Sequence, residues 1–278
     1  MSDVRAPLVR LGDGVRSLAS DTLTCLRFYS RIPLPAFRFE APAHELADFA
    51  HAIRMVPVAG AVIGALGAAA LLVACRLGLP PLLAAAAALA VQLRVTGGLH
   101  EDGLADMADG LGGGRERAQK LAIMRDSRIG AYGAAALAIA LIARAAAMAA
   151  LIERTGELGA AAALVAAAAV SRTVGLVPLF LLPPARADGA AHAAGRPRGQ
   201  ALVFAGAVSA ALAIALAAPT AGWVPALIAL VLSGAAGLYV VHLARHHLGG
   251  QTGDVAGAAQ QLGEIGFLSA LLMRTHLG

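Results

Sequence analysis

Residues 98–110 read GLHEDGLADMADG and gather four carboxylates, Glu101, Asp102, Asp106 and Asp109, in a chain that is 14% charged and 59% hydrophobic. If the stretch is helical, about 100° per residue puts Asp106 roughly 40° from Asp102, and Asp109 about 20° to its other side. Three carboxylates then form one stripe at intervals of one turn. Left alone, like charges so close repel and raise one another's pKa values. A hard divalent cation removes that penalty, and carboxylate oxygens are the ligands Mg²⁺ prefers. Glu101 points about 100° away from Asp102, which suits a supporting contact or a base. Gly103 and Gly110 weaken a helix, so the spacing implies that something approaches its backbone closely. A solvated acidic turn is the plainer reading, but such turns rarely place their acids on one face.

Two further segments carry chemistry. Residues 123–130, IMRDSRIG, set Arg125 and Arg128 around Asp126 and Ser127 at a predicted helix start. Asp126 or Ser127 can serve as a simple N-cap; alternatively the arginines and the helix terminus hold phosphate oxygens. Beside a metal-binding stripe the phosphate reading is favoured. Residues 249–264, GGQTGDVAGAAQQLGE, offer Thr252 and Asp254 before another helix, although a plain capped turn accounts for them nearly as well. His100 joins the substrate-binding candidates; like His246 and His247, it reads more simply as a polar loop residue.

The elements that position these groups belong to a membrane protein. Mean hydropathy is +0.73. Uncharged or nearly uncharged runs cover 55–75, 77–93, 129–152, 158–183 and 199–244, the last broken at Pro219-Thr220-Ala221-Gly222, and a further apolar helix is predicted at 255–273. The pattern predicts an all-α polytopic bundle of six or seven transmembrane helices. Residues 1–50 read as an amphipathic, interfacial segment without a signal peptide, and 51–278 as a transmembrane catalytic domain. Arginines crowd the N-terminal segment, the 94–128 loop and the 184–198 loop, while the alternate loops are poor in them. The positive-inside rule therefore places the N-terminus, the acidic stretch and the 245–254 loop in the cytoplasm. The net charge of +5 follows from these flanks and implies no nucleic-acid partner. Two isolated cysteines support neither a disulfide framework nor a zinc site.

Inside the spans, Arg172 is expected near mid-membrane with one of the acids as partner, because an unpaired charge is expensive there. Arg144 is expected to snorkel outward. Small residues let membrane helices approach closely, with Gly60-x-x-x-Gly64 one candidate contact. Metal-bearing aspartates, phosphate-holding arginines and an incoming hydroxyl at a membrane surface suit attack on a diphosphate with a nucleoside monophosphate leaving. That reaction needs little beyond positioning and charge neutralisation.

RFYSRIPLP (27–35), VPVAGAVIG (56–64), TGGLHEDGLADMADG (96–110), IMRDSRIGAYG (123–133) and TGDVAGAAQQLGE (252–264) occur in this order. The chain from about residue 20 onward thereby resembles cobamide synthase, also called adenosylcobinamide-GDP ribazoletransferase. The resemblance implies an integral membrane enzyme that needs Mg²⁺ and joins adenosylcobinamide-GDP to α-ribazole or its 5'-phosphate, releasing GMP. It implies that Asp102, Asp106 and Asp109, with Glu101, form the metal-bearing cluster. Arg125, Asp126, Ser127 and Arg128 match the second motif, and Thr252 and Asp254 the third. On this reading one or two Mg²⁺ ions bridge the aspartates and the diphosphate, Glu101 or Asp102 takes the proton of the ribose hydroxyl, and Arg125 and Arg128 stabilise departing GMP. Membrane lipid is the expected surrounding, and assembly into a homo-oligomer is compatible with the sequence.

Fainter similarity links the acidic stretch to CDP-alcohol phosphotransferases. Asp102-Gly103 is here followed by Leu104, Ala105 and Asp106, which departs from that family's aspartate motif. A lipid-type enzyme of that kind is the nearest rival. A secondary transporter is a more distant one, since it predicts acids near mid-membrane in broken helices.

Overall fold

Alanine and glycine set how closely these helices meet. The computed structural model describes residues 5–37, 49–186 and 195–273. Helix α1 is Arg5–Tyr29; α2, Phe49–Ala52, runs through a 3-10 turn, Ile53–Met55, into α3, Val56–Arg76. Then come α4 (Pro81–Thr96), α5 (Leu99–Gly113), α6 (Arg117–Ile123) and α7 (Ala131–Leu181), followed by α8 (Gly199–Ala221), α9 (Trp223–His247) and α10 (Gly253–Leu271). Among the described residues no strand forms, and one isolated bridge pairs Pro184 with Gln251. Proline opens α3 and α4, where its missing N–H leaves no unpaired donor.

The expected all-α membrane bundle is present; six or seven spans are not established. Length and apolarity qualify four stretches, Phe49–Arg76, Ala131–Leu181, Gly199–Ala221 and Trp223–His247, or up to five if α4 and α5 count as one bent span. Three physical features separate the sequence expectation from this count. The runs at 129–152 and 158–183 merge into one helix of 51 residues, which Gly156 breaks at φ 75° and ψ 172° into two arms. The second run turns by 89° between α4 and α5. Helix α10 carries Asp254, Gln260, Gln261 and Glu264 and is an interior helix. The division at 199–244 does form, at Gly222 with φ 96°, while Pro219 stays within the last turn of α8. Large apolar side chains such as Val62, Leu66, Ile139, Ile142 and Val231 face outward from the spans, as a lipid environment requires.

The Gly60-x-x-x-Gly64 contact is real. A Cβ at Gly60 would lie 2.5 Å from the Ala168 carbonyl oxygen, and one at Gly64 2.9 Å from Val165 Cα. Both glycines therefore seat α3 on the second arm of α7, as small-residue packing does in membranes. Gly60→Leu is expected to lower the thermal midpoint of the detergent-extracted protein markedly, because backbone rather than a flexible side chain stands in the way. At the N-terminal side, α1 is helical as expected and Arg54 pairs with Asp21 at 2.7 Å, tying α1 to the entrance of α3. The expected boundary near residue 50 follows residues 38–48, which lie outside the described residues.

Candidate active site

Gly97 and Gly98 both adopt left-handed backbone, at φ 70° and 73°, a conformation that glycine takes without steric cost. They produce the bend from which α5 starts, so the acidic stretch is helical from Leu99 to Gly113. Helix α5 then lies against α10. A Cβ at Gly103 would come 3.0 Å from Asp254 Cα and 3.2 Å from Gly257 Cα. The close approach that the two glycines implied is thus the seating of α5 on α10, with Gly110 doing the same against Met124 and Lys120. It sets Asp254 beside the aspartate stripe. Gly103→Val is expected to push α5 from α10 and lower turnover by about 10²-fold, the cost of an ångström-scale misplacement, with the protein still inserted; turnover per inserted molecule checks this.

The stripe is graded in depth. Asp102 is exposed, Asp106 half-buried and Asp109 buried. Asp106 feels the charges of Asp102, Asp254 and Asp109 together with that of Arg186. Asp109 is already engaged: its two oxygens accept from the backbone N–H groups of Gly130 and Gly133 at 2.7 and 2.8 Å. It therefore caps α7, whose own N-cap residue Gly130 supplies no side chain, and neither Asp126 nor Ser127 has that role. Asp126 instead binds Arg128, whose Nη2 donates to it at 2.7 Å. That hydrogen bond holds the Asp126 carboxyl down at about 2. Ser127, Arg125 and Arg128 are exposed on the same loop.

In the third segment, Thr252 caps α10, its hydroxyl accepting from the Val255 N–H and donating to Asp254. Burial raises the Asp254 carboxyl above the usual carboxylate range, against the pull of Arg186 and of the Thr252 hydroxyl. Arg186 donates to Asp254 at 2.7 Å. The reach across 68 residues is built by backbone: Ala185 N–H bonds the Gln251 carbonyl and Gln251 N–H the Pro183 carbonyl, each at 2.8 Å. Lys120 and His247 meet at 3.4 Å nearby. Helix α6 and the loops after α7 and before α10 thus share one end of the bundle.

One expectation is corrected here. Arg144 does not snorkel: it is 2% exposed and pairs with Glu101 and Glu264, each at 2.8 Å. Its guanidinium lies among polar side chains of α4, α5 and α10, which makes the interior the less costly place for it. Glu101 is correspondingly a buried ion-pair member, 6% exposed, the supporting contact being the one of its two readings that the geometry displays. His100 is buried as well and stacks on Tyr29, ring centroids 5.7 Å apart. Arg172 is buried, bonds its own helix at the Ala168 carbonyl, and has Glu264 and Glu101 as its electrostatic partners.

Among the described residues no three His, Cys, Asp or Glu side chains converge as a ready-made metal cage. Mg²⁺ does not require one, since it is commonly held by one or two carboxylates together with substrate phosphates. Asp102 and Asp106, exposed and half-exposed beside Asp254, are the residues that could provide such a donor set. Sequence reasoning treated Arg186 only as an orienting charge; no local pattern marks it, because its partner lies in another loop. Arg144 and Glu264 did carry a signal as charges within apolar runs.

Residues 21–272 match the family model described as cobalamin-5-phosphate synthase. The chain is 49% identical over 256 residues to the adenosylcobinamide-GDP ribazoletransferase of Azorhizobium caulinodans, covering 92% of this chain and 96% of that protein. It is 45% identical to the like-named protein of Rhizobium etli, covering 92% and 98%, and 47% identical to that of Xanthobacter autotrophicus, covering 92% and 97%. No solved structure matches it. By the extent of the family match and by identity across nearly its whole length, this chain belongs to the cobalamin-5-phosphate synthase family.

Proposed function

We propose that the chain is a membrane-bound adenosylcobinamide-GDP ribazoletransferase, joining adenosylcobinamide-GDP to α-ribazole or its 5'-phosphate with release of GMP, in the last assembly step of the vitamin B12 nucleotide loop. The relatives and family model carry the activity. The single structural observation that carries the chemistry is the meeting of Asp102, Asp106, Asp254 and Arg186 where α5 presses on α10.

In the reaction a ribose oxygen of α-ribazole forms a bond to the phosphorus nearer the corrinoid, and the bond from that phosphorus to the bridging oxygen breaks. The electron pair leaves on GMP, and the hydroxyl proton passes to a carboxylate. Of the two base candidates, Asp102 is the exposed one, whereas Glu101 is committed to Arg144. Asp102 and Asp106, with Asp254, would hold Mg²⁺, which when bound neutralises diphosphate charge and polarises the phosphorus. Asp109 contributes by fixing the start of α7 beside them. Arg186 would exchange Asp254 for a phosphate oxygen, and Arg125 and Arg128 would offer departing GMP planar donors suited to phosphate. Arginine-rich loops at this end of the bundle support a cytoplasmic site at a bacterial inner membrane.

The test offers both donor types to protein in liposomes. GMP released from adenosylcobinamide-GDP, with no CMP from a CDP-alcohol, is expected; the reverse would overturn the assignment. Chelation with EDTA is expected to stop GMP release, and excess Mg²⁺ to restore it.

A further inference from the structure

Deep in the bundle lies an ionic cluster that the chemistry above does not use. Arg144 on the first arm of α7 donates to Glu101 of α5 at 2.8 Å and to Glu264 of α10 at 2.8 Å. It also donates to Gln92 of α4 at 3.1 Å and Gln261 of α10 at 3.2 Å. Gln261 donates to Glu101 at 3.0 Å, and Gln260 to Glu264 at 2.7 Å. Arg172 on the second arm of α7 faces both glutamates electrostatically. Arg144 thus joins the two glutamates directly while Arg172 balances their charge, and Glu101, Arg144, Arg172 and Glu264 are exposed by 6%, 2%, 4% and 0%.

We infer that this neutral cluster is the positioning device of the aspartate helix: through Arg144 it fixes the rotation and register of α5 against α10, and so aims Asp102 and Asp106 at Asp254 and Arg186. The two glutamates that Arg144 joins belong to the same two helices that carry the acids of the site. Glu101 immediately precedes Asp102, about 100° around α5, so anchoring one inward fixes where the other points. A slip of α5 by one residue would withdraw Glu101 from Arg144 and leave charges unpaired where water does not reach. The cluster is also poorly optimised as mere glue. Glu101 Oε2, Gln92 Nε2 and Arg172 Nε are buried without a hydrogen-bond partner among the described residues, and buried ion pairs are commonly replaceable by apolar packing without loss of stability. A role in fixing one arrangement accounts for both features.

This inference rests on the proposed site, and its test separates the two. Glu101→Gln, Glu264→Gln and the double variant are compared with the wild type in liposomes, with turnover expressed per folded molecule and Mg²⁺ affinity read by calorimetry. Each single variant is expected to lose about 10–100-fold in kcat and to bind Mg²⁺ more weakly, with KM for α-ribazole phosphate changed less than about threefold. The double variant is expected to be no worse than the poorer single one, as for residues acting as a unit. If Glu101→Gln alone loses turnover while Glu264→Gln matches the wild type, Glu101 acts directly and the inference falls. It falls equally if both variants keep kcat and Mg²⁺ affinity and lose only stability. Where a variant does not fold, Glu101→Asp and Arg144→Lys, which keep the charge but shift it, are read by the same criteria. If the wild type binds no Mg²⁺, the cation assignment fails, and the coupling in kcat still decides the positioning role.

Discussion

Asp106→Ala is expected to reduce GMP release by about 10²–10³-fold or more while leaving the protein folded in the membrane. The magnitude follows from the several kcal/mol that a positioned cation contributes, at about 1.4 kcal/mol per tenfold in rate. Asp106 is half-buried and stands among Asp102, Asp109 and Asp254, so removing it relieves repulsion in the resting protein. A loss of turnover is therefore expected without a loss of stability. Steady-state assay of GMP, with size-exclusion profiles of both proteins, checks the two halves together; unchanged turnover would remove Asp106 from the cation site.

The second large effect is on folding. Arg144→Met leaves Glu101 and Glu264, 6% and 0% exposed, without the cation that pairs with them directly. Breaking a buried ion pair from one side costs about 3–5 kcal/mol, because the remaining charge stays desolvated. The expected result is a sharp fall in folded protein recovered from membranes. Adding Glu264→Gln to Arg144→Met should recover part of the loss by removing one orphaned charge. A recovery equal to that of wild-type protein in Arg144→Met alone would show the network to be dispensable for folding.

Periodicity and punctuation made much of this legible. The stripe of Asp102, Asp106 and Asp109 needs only the helical angle, and α5 is helical throughout. Gly103 and Gly110 stood out as costly choices for a helix, and both prove to be sites of close backbone approach. The break between α8 and α9 was readable from Pro219 and Gly222. What stayed hidden depends on partners remote in sequence. Asp109 looks identical to Asp106 in a helical wheel, yet it reaches 21 residues onward to cap α7. Arg144 sits in an apolar run whose hydropathy says nothing of depth, and Glu264 lies 120 residues away. Arg186 belongs to a loop held by the bridge from Pro184 to Gln251, which is a tertiary feature. The span count stays unestablished for a related reason, since hydropathy does not report the 89° bend at Gly97–Gly98.

Binding of Mn²⁺, used in place of Mg²⁺ and followed by electron paramagnetic resonance, tests the central assignment most directly. Purified wild-type protein is titrated with and without adenosylcobinamide-GDP, alongside an Asp102→Asn/Asp106→Asn variant. The wild type is expected to bind Mn²⁺ more tightly when the diphosphate is present, and the double variant to lose that binding. Equal Mn²⁺ affinity in the two proteins, with and without donor, would contradict it.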